Sequence, residues 1–151
     1  MRQTFTFGLE RVRELREHVE SRAKEELAAS LHQRVKGAAL LAAASDALAA
    51  AAAAGSPHEG ARITAGDLLA HERWVQALRR GHEDAALSLD RFDAEVDARR
   101  AALGDASRER EILERLKERQ AAEHRAQLAR REGAELDEIA LTMHQRQAGG
   151  R

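Results

Sequence analysis

The sequence contains no cysteine and no tyrosine, one proline and only 3% aromatic residues. Without cysteine the chain forms no disulfide and has no thiolate chemistry, and it is compatible with a reducing compartment. Much of its 43% hydrophobic fraction is alanine, which leaves little apolar area for a compact core. Its formal net charge of −1 gives no overall attraction to nucleic acid, so we expect no nucleic-acid partner. The composition favours long helices over a globular enzyme.

The second half of the chain carries a regular three-and-four spacing of mostly apolar residues. This spacing is typical of the a and d positions of a coiled coil and continues for about six heptads. It starts with Leu68, His71, Val75, Leu78 and His82 and ends with Arg110 and Leu113. A stripe this narrow is covered by one partner helix rather than by a globular core.

The only proline, Pro57, lies in a cluster of helix-breaking residues from 55 to 60. We therefore predict a helix over about 8–54, a loop over 55–63, a helix over about 64–145 and a frayed tail over 146–151, in a single coiled-coil domain 1–151. Thr64 and Asp67 have the spacing of a capping box at the start of the second helix. The predicted fold class is all-α, an antiparallel two-helix coiled-coil hairpin with unequal arms, the second helix being longer.

In the first helix, the apolar series predicts the residues that face the second helix. They are Leu9, Val12, Leu15, Val19, Ala23, Leu27, Leu31, Val35, Ala38, Leu41, Ser45, Leu48 and Ala52. Folding the chain about residue 58 places Arg99 near Glu17, where an ion pair is expected. The same fold leaves roughly 35 residues of the second helix extending about 50 Å beyond the first.

No pattern of catalytic or metal-binding residues is present. His71 would need a second histidine at Val75 to form a zinc-binding helix motif, and no glycine-rich phosphate loop occurs. We predict no enzyme activity, no catalytic residues, no cofactor and no metal. The apolar run from Ala38 to Ala54 is interrupted by Ser45 and Asp46, so no direct membrane insertion is expected.

Three aromatic residues have two interpretations each. Trp74 falls at a g position beside the apolar stripe, where it either covers the alanine-rich part of the first helix or anchors a partner. Phe5 and Phe7 either staple the start of the first helix or insert into a partner cavity.

The opening segment Phe5-Thr6-Phe7-Gly8-Leu9-Glu10-Arg11-Val12, followed by Leu15-Arg16-Glu17, resembles the start of flagellar export proteins of the FliJ family. Two later segments, 113–119 and 136–140, resemble the second helix of that family. The resemblance implies a cytoplasmic component of the flagellar export apparatus, peripherally associated with the inner face of the cell membrane. It implies as partners the hexameric export ATPase and its regulator, the membrane-embedded export gate and the export chaperones.

The resemblance also implies two contact sites. The positions that match the family's gate-contacting patch are Leu40, Ala44, Ala47, Ala51, Trp74, Leu78, Gly81 and Ala85. The ATPase-ring contact is expected at the open end of the hairpin, at Phe5, Phe7, Leu9, Leu136 and Ile139. The alternative function is a structural coiled-coil spacer that self-associates through its C-terminal overhang, covering Leu113, Leu116, Leu128 and Ile139.

Overall fold

The computed structural model describes residues 4–55 and 62–149. Two antiparallel helices, α1 (Glu10–Ala54) and α2 (Ala65–Ala148), account for 92% of these residues, and no strand occurs among them. The predicted fold is confirmed: the chain is an all-α hairpin with a longer second helix. The helix bounds match the predicted ones to within one turn. Most of the predicted loop, residues 56–61, and the last two residues of the predicted tail lie outside the described residues.

Local side-chain chemistry sets the ends of both helices around the loop. Gly55 follows α1 with a φ of 65°, a left-handed conformation that only glycine adopts readily at a helix end. At the start of α2, the Thr64 backbone N–H donates to Asp67 Oδ2 at 2.9 Å, and the Asp67 N–H donates to Thr64 Oγ1 at 3.2 Å. The predicted capping box is therefore confirmed. These hydrogen bonds from Thr64 also lower the pKa of Asp67.

The start of α1 is fixed by aromatic packing. The Glu10 N–H donates to the Phe7 carbonyl at 3.2 Å, and the Phe7 side chain is only 5% exposed. The Phe5 ring lies against the His124 imidazole with centroids 5.7 Å apart. Both phenylalanines thus pack within the chain, as the staple interpretation expects.

The chain divides into two compact units, each containing a segment of both helices. We call residues 4–20 and 106–149 the terminal unit, and residues 21–55 and 62–105 the loop unit. Each unit has its own contacts between α1 and α2, which are described separately.

The pairing register of the two helices differs from the predicted one. Arg99 pairs with Glu26 at 2.6 Å rather than with Glu17, and Arg34 pairs with Asp93. In the terminal unit, Glu10 pairs with Lys117 at 2.9 Å. The pairing therefore centres near residue 63 instead of 58, which shifts partners by about eleven residues. Eleven residues are about three helical turns, so the same faces meet in both registers and the apolar spacing does not distinguish them.

The predicted α1 interface is wrong in the terminal unit. Leu9, Val12, Leu15 and Val19 are 39–59% exposed, and the side chains that reach α2 are charged instead. In the loop unit, Leu31 and Val35 are also exposed, whereas Ala23, Leu27, Leu41 and Leu48 are half-buried as expected. Apolar spacing alone misidentified the face because ion pairs take its place near the N-terminus of α1.

Helix α1 includes an 18-residue window with a mean hydropathy of 1.6, long and apolar enough to cross a membrane by length and composition alone. Alanine supplies most of the apolar character at the C-terminal end of this helix. In the loop unit, α1 is held against α2 by the Arg34–Asp93 and Glu26–Arg99 ion pairs, which place charge along its flanks.

Candidate interaction surfaces

The interface of the terminal unit is a network of ion pairs centred on Arg13. Its guanidinium contacts Glu10 at 2.6 Å, Glu17 at 2.5 Å and Glu114 of α2 at 3.4 Å. These carboxylates raise the pKa of Arg13, and hydrogen bonds from Arg13 and then Lys117 lower the pKa of Glu10. The network links three turns of α1 to α2 and fixes which positions face each other.

Glu20 is the most buried charged residue of the terminal unit, with 7% exposure. Its carboxylate accepts hydrogen bonds from the Ser107 hydroxyl at 3.1 Å and from the Arg110 guanidinium. A buried carboxylate is stable only when its oxygens are paired in this way. Arg110 and Ser107 therefore hold this point of the interface.

The interface of the loop unit is made of small and apolar side chains. Val96 is 2% exposed and Ala51 is 4% exposed. A Cβ added to Gly37 would lie 2.7 Å from Phe92 Cδ2, so glycine at this position lets the Phe92 ring contact the α1 backbone. This unit is held by close packing, with ion pairs only along its flanks.

The expected gate-contact residues all fall in the loop unit, on one flank of the helix pair and the interface beneath it. Trp74 is 48% exposed, Leu40 is 67% exposed and Gly81 is open to solvent. The others lie deeper: Ala51 is buried, and the remaining four are half-buried, namely Ala44, Ala47, Leu78 and Ala85. The sequence spacing thus placed a large indole, a leucine and small residues on one side.

Trp74 packs against its own helix. Its ring lies 5.7 Å from the His71 imidazole at an angle of 53°, and about half of the side chain remains accessible. A large aromatic side chain held by one neighbour and half exposed is well placed to contribute to a protein interface.

The expected ring-contact residues divide into two groups in the terminal unit. Phe5 and Phe7 are packed within the chain, and Leu9 is 41% exposed. Leu136 and Ile139 are 66% and 52% exposed in the C-terminal part of α2, together with Leu141 and Met143. The described residues of α1 and its N-terminal extension contact α2 as far as His124, so the overhang begins after that residue. It is shorter than the roughly 35 residues predicted.

Sequence reasoning missed two groups of exposed apolar residues. In the loop unit, Leu68 and Leu69 lie in the first two turns of α2, which extend past the end of α1, and are 51% and 54% exposed. In the terminal unit, Ile112 is 64% exposed beside the outward-facing leucines and valines of α1. Correct pairing through the charged residues would have been the signal for both groups.

Within residues 4–55 and 62–149, no group of three or more histidine or carboxylate side chains is arranged to hold a metal ion. The two helices instead present exposed apolar side chains next to ion pairs, an arrangement suited to binding other proteins.

Comparison with known families agrees with this view. The family model described as Flagellar FliJ protein matches residues 5–149, nearly the whole chain. No curated protein and no solved structure matches the chain. The chain belongs to the flagellar FliJ protein family and is a component of the flagellar protein export apparatus.

Proposed function

We propose that this chain is a non-enzymatic stalk and adaptor of the flagellar export apparatus. It binds the hexameric export ATPase and its regulator, binds the export gate, and escorts export chaperones. It acts in the cytoplasm, peripherally associated with the inner face of the cell membrane. Family membership supports the general role, and exposed apolar residues in both units support contacts with more than one partner.

The gate contact uses the flank of the loop unit around Trp74. Trp74 and Leu40 supply the large apolar side chains, and Gly81 leaves open space that a partner side chain can enter. Trp74 is the observation that carries this proposal, because a half-exposed tryptophan on a two-helix hairpin contributes little to packing but much to an interface.

The ATPase-ring contact uses the overhang of α2 in the terminal unit. Leu136 and Ile139 are exposed there without a covering helix from α1. Leu9 adds a third exposed side chain, while Phe5 and Phe7 act by fixing the start of α1.

The alternative function, a self-associating spacer, is favoured by the same exposed overhang. A second copy would cover Leu136, Ile139, Leu141 and Met143. Light scattering at several concentrations distinguishes the two functions: a monomer at about tens of micromolar supports the adaptor.

The adaptor is tested with Trp74→Ala, measured for gate affinity, for stimulation of the cognate ATPase and for thermal unfolding. Because Trp74 is half-exposed, its truncation should cost about 1–2 kcal/mol of folding stability. Gate binding should fall by about 2 kcal/mol, which is about thirtyfold in affinity. ATPase stimulation should persist, since the ring contact lies in the other unit. Leu87→Ala is the matched control, because Leu87 is 57% exposed on α2 and lies outside the patch.

Two results would count against the adaptor. Unchanged gate affinity with a large drop in melting temperature would make Trp74 a packing residue. Wild-type chain at saturation that changes neither the hydrolysis rate nor the hexamer fraction of the ATPase would remove the ring contact.

A further inference from the structure

The terminal unit has an apolar face that neither the proposed gate contact nor the proposed ring contact uses. Arg16 of α1 pairs with Glu109 of α2 on one side of the helix pair. Val12 and Val19 lie one turn on either side of Arg16, and Ile112 lies one turn after Glu109, so helical spacing brings all three to this side. Together with Leu15 and Leu116 we call them the lateral face.

The side chains of the lateral face are accessible. Val12 is 41% exposed, Val19 is 39% exposed and Ile112 is 64% exposed, while Leu116 is half-buried at the base of the groove between the helices. Exposed valine, leucine and isoleucine at helical spacing on both walls of a groove match what an added amphipathic helix buries. A contiguous apolar patch of this kind marks an interaction site rather than ordinary surface.

Charge selects the kind of helix that fits. Arg115 and Arg119 border the lateral face on α2, 81% and 70% exposed, and their partners within the helix lie at 3.7 and 3.9 Å. Such exposed pairs are worth little and exchange easily for a partner's carboxylates. The opposite flank of the terminal unit carries Glu14, Glu114 and Glu118 instead. The apolar groove thus coincides with the basic side.

We propose that the lateral face binds an amphipathic helix of another protein, one whose apolar stripe is bordered by aspartate and glutamate, to form a three-helix bundle. A second copy fits less well, because a two-fold arrangement sets the arginine rows against each other. The chain's own overhang, residues 125–149, carries four arginines and four carboxylates and so is not acidic. An anionic membrane also fits less well, since Glu109 and Glu123 lie within the same face.

The test uses two labelled helical peptides of about three heptads with leucine and isoleucine at a and d, one with glutamate and one with lysine at e and g. Fluorescence anisotropy with the full chain should show the glutamate peptide binding about tenfold tighter or more. Ile112→Ser should weaken that binding by about tenfold, and Arg115→Glu should reduce the preference for the glutamate peptide. Leu87→Ser and Ile139→Ser, at exposed leucine and isoleucine positions elsewhere, should leave binding unchanged.

Several outcomes would overturn the proposal. Equal affinity for the two peptides, or loss of binding with Ile139→Ser but not Ile112→Ser, would move the site away from the lateral face. Sedimentation that shows a dimer abolished by Ile112→Ser would make a second copy the occupant. Binding of anionic lipid vesicles that depends on Ile112 would make a membrane the occupant. Circular dichroism of each variant confirms that the hairpin remains folded, and none of these outcomes depends on the ring or gate contacts.

Discussion

The two units solve the same packing problem with opposite chemistry. In the terminal unit, charged residues such as Arg13 and Glu20 lie between the helices, and leucine and valine of α1 point outward. In the loop unit, Gly37, Ala51 and Val96 lie between the helices, and charges form the flanks. Helix pairing therefore does not require an apolar interface along its whole length, and polar pairing releases apolar side chains for other proteins.

The difference has consequences for stability. Partly exposed ion pairs contribute up to about 1 kcal/mol each and specify which residues face each other. Close apolar packing contributes more per residue and excludes water. We infer that the loop unit is the more stable of the two and that the terminal unit opens at lower cost.

The largest expected effect comes from Glu20→Ala. It leaves the Arg110 guanidinium and the Ser107 hydroxyl without their carboxylate in a mostly buried position. Breaking a buried pair on one side costs about 3–5 kcal/mol, and the partial exposure of Arg110 reduces this to about 2–3 kcal/mol. Native-state hydrogen exchange should show lost protection in the terminal unit alone.

The control is Glu14→Ala, an exposed glutamate on the same helix, which should change stability by less than about 0.5 kcal/mol. A double variant sharpens the test. Glu20→Leu with Arg110→Leu removes both charges and should restore or raise stability, because apolar pairs often replace buried ion pairs without loss. Equal loss of protection in both units after Glu20→Ala would refute the division.

A smaller effect is expected from Gly37→Ala in the loop unit. The added Cβ would lie 2.7 Å from Phe92, so the ring must move, and overpacking of this kind costs about 1–3 kcal/mol. The gain in helix propensity, about 1 kcal/mol, offsets part of this cost. Gly81→Ala is the matched control, because nothing lies within 4 Å of its Cβ position. Gly37→Ala should lower the melting temperature and Gly81→Ala should raise it. A rise for both would show that Phe92 adjusts freely.

The sequence predicted the helices, their break and the α2 cap, because these depend on local residues. It did not predict the register, since a shift of about three turns presents the same faces. It also misassigned the inner face of α1 in the terminal unit, where Glu10, Arg13 and Glu20 pair with α2. Long-range ion pairs decide both questions, and apolar periodicity carries no information about them.

The candidate sites divide along the same line. Trp74 was placed correctly as a half-exposed flanking residue, because its position depends only on heptad spacing. The lateral face and the exposed pair Leu68 and Leu69 were missed, because their exposure depends on the register. The assignment of partners to Trp74, Leu136 and Ile139 remains a prediction from family resemblance.

The smallest expected effect concerns acid. Hydrogen bonds from Arg13 and Lys117 hold the pKa of Glu10 below its ordinary value of 4.5. A carboxylate whose pKa is lowered in the folded state contributes stability above its unfolded pKa and loses it as the pH falls through the folded value. Between pH 6 and pH 3 the protection factors of the terminal unit should therefore fall by a few-fold more in the wild type than in Glu10→Gln, which has no proton to gain. Asp67 has a lowered pKa too, but it caps only the first turn of α2, so its protonation should affect that turn alone. If the wild type and Glu10→Gln lose protection in parallel, the Glu10 pairs do not contribute to the terminal unit, and its interface depends on Glu20 and Arg110.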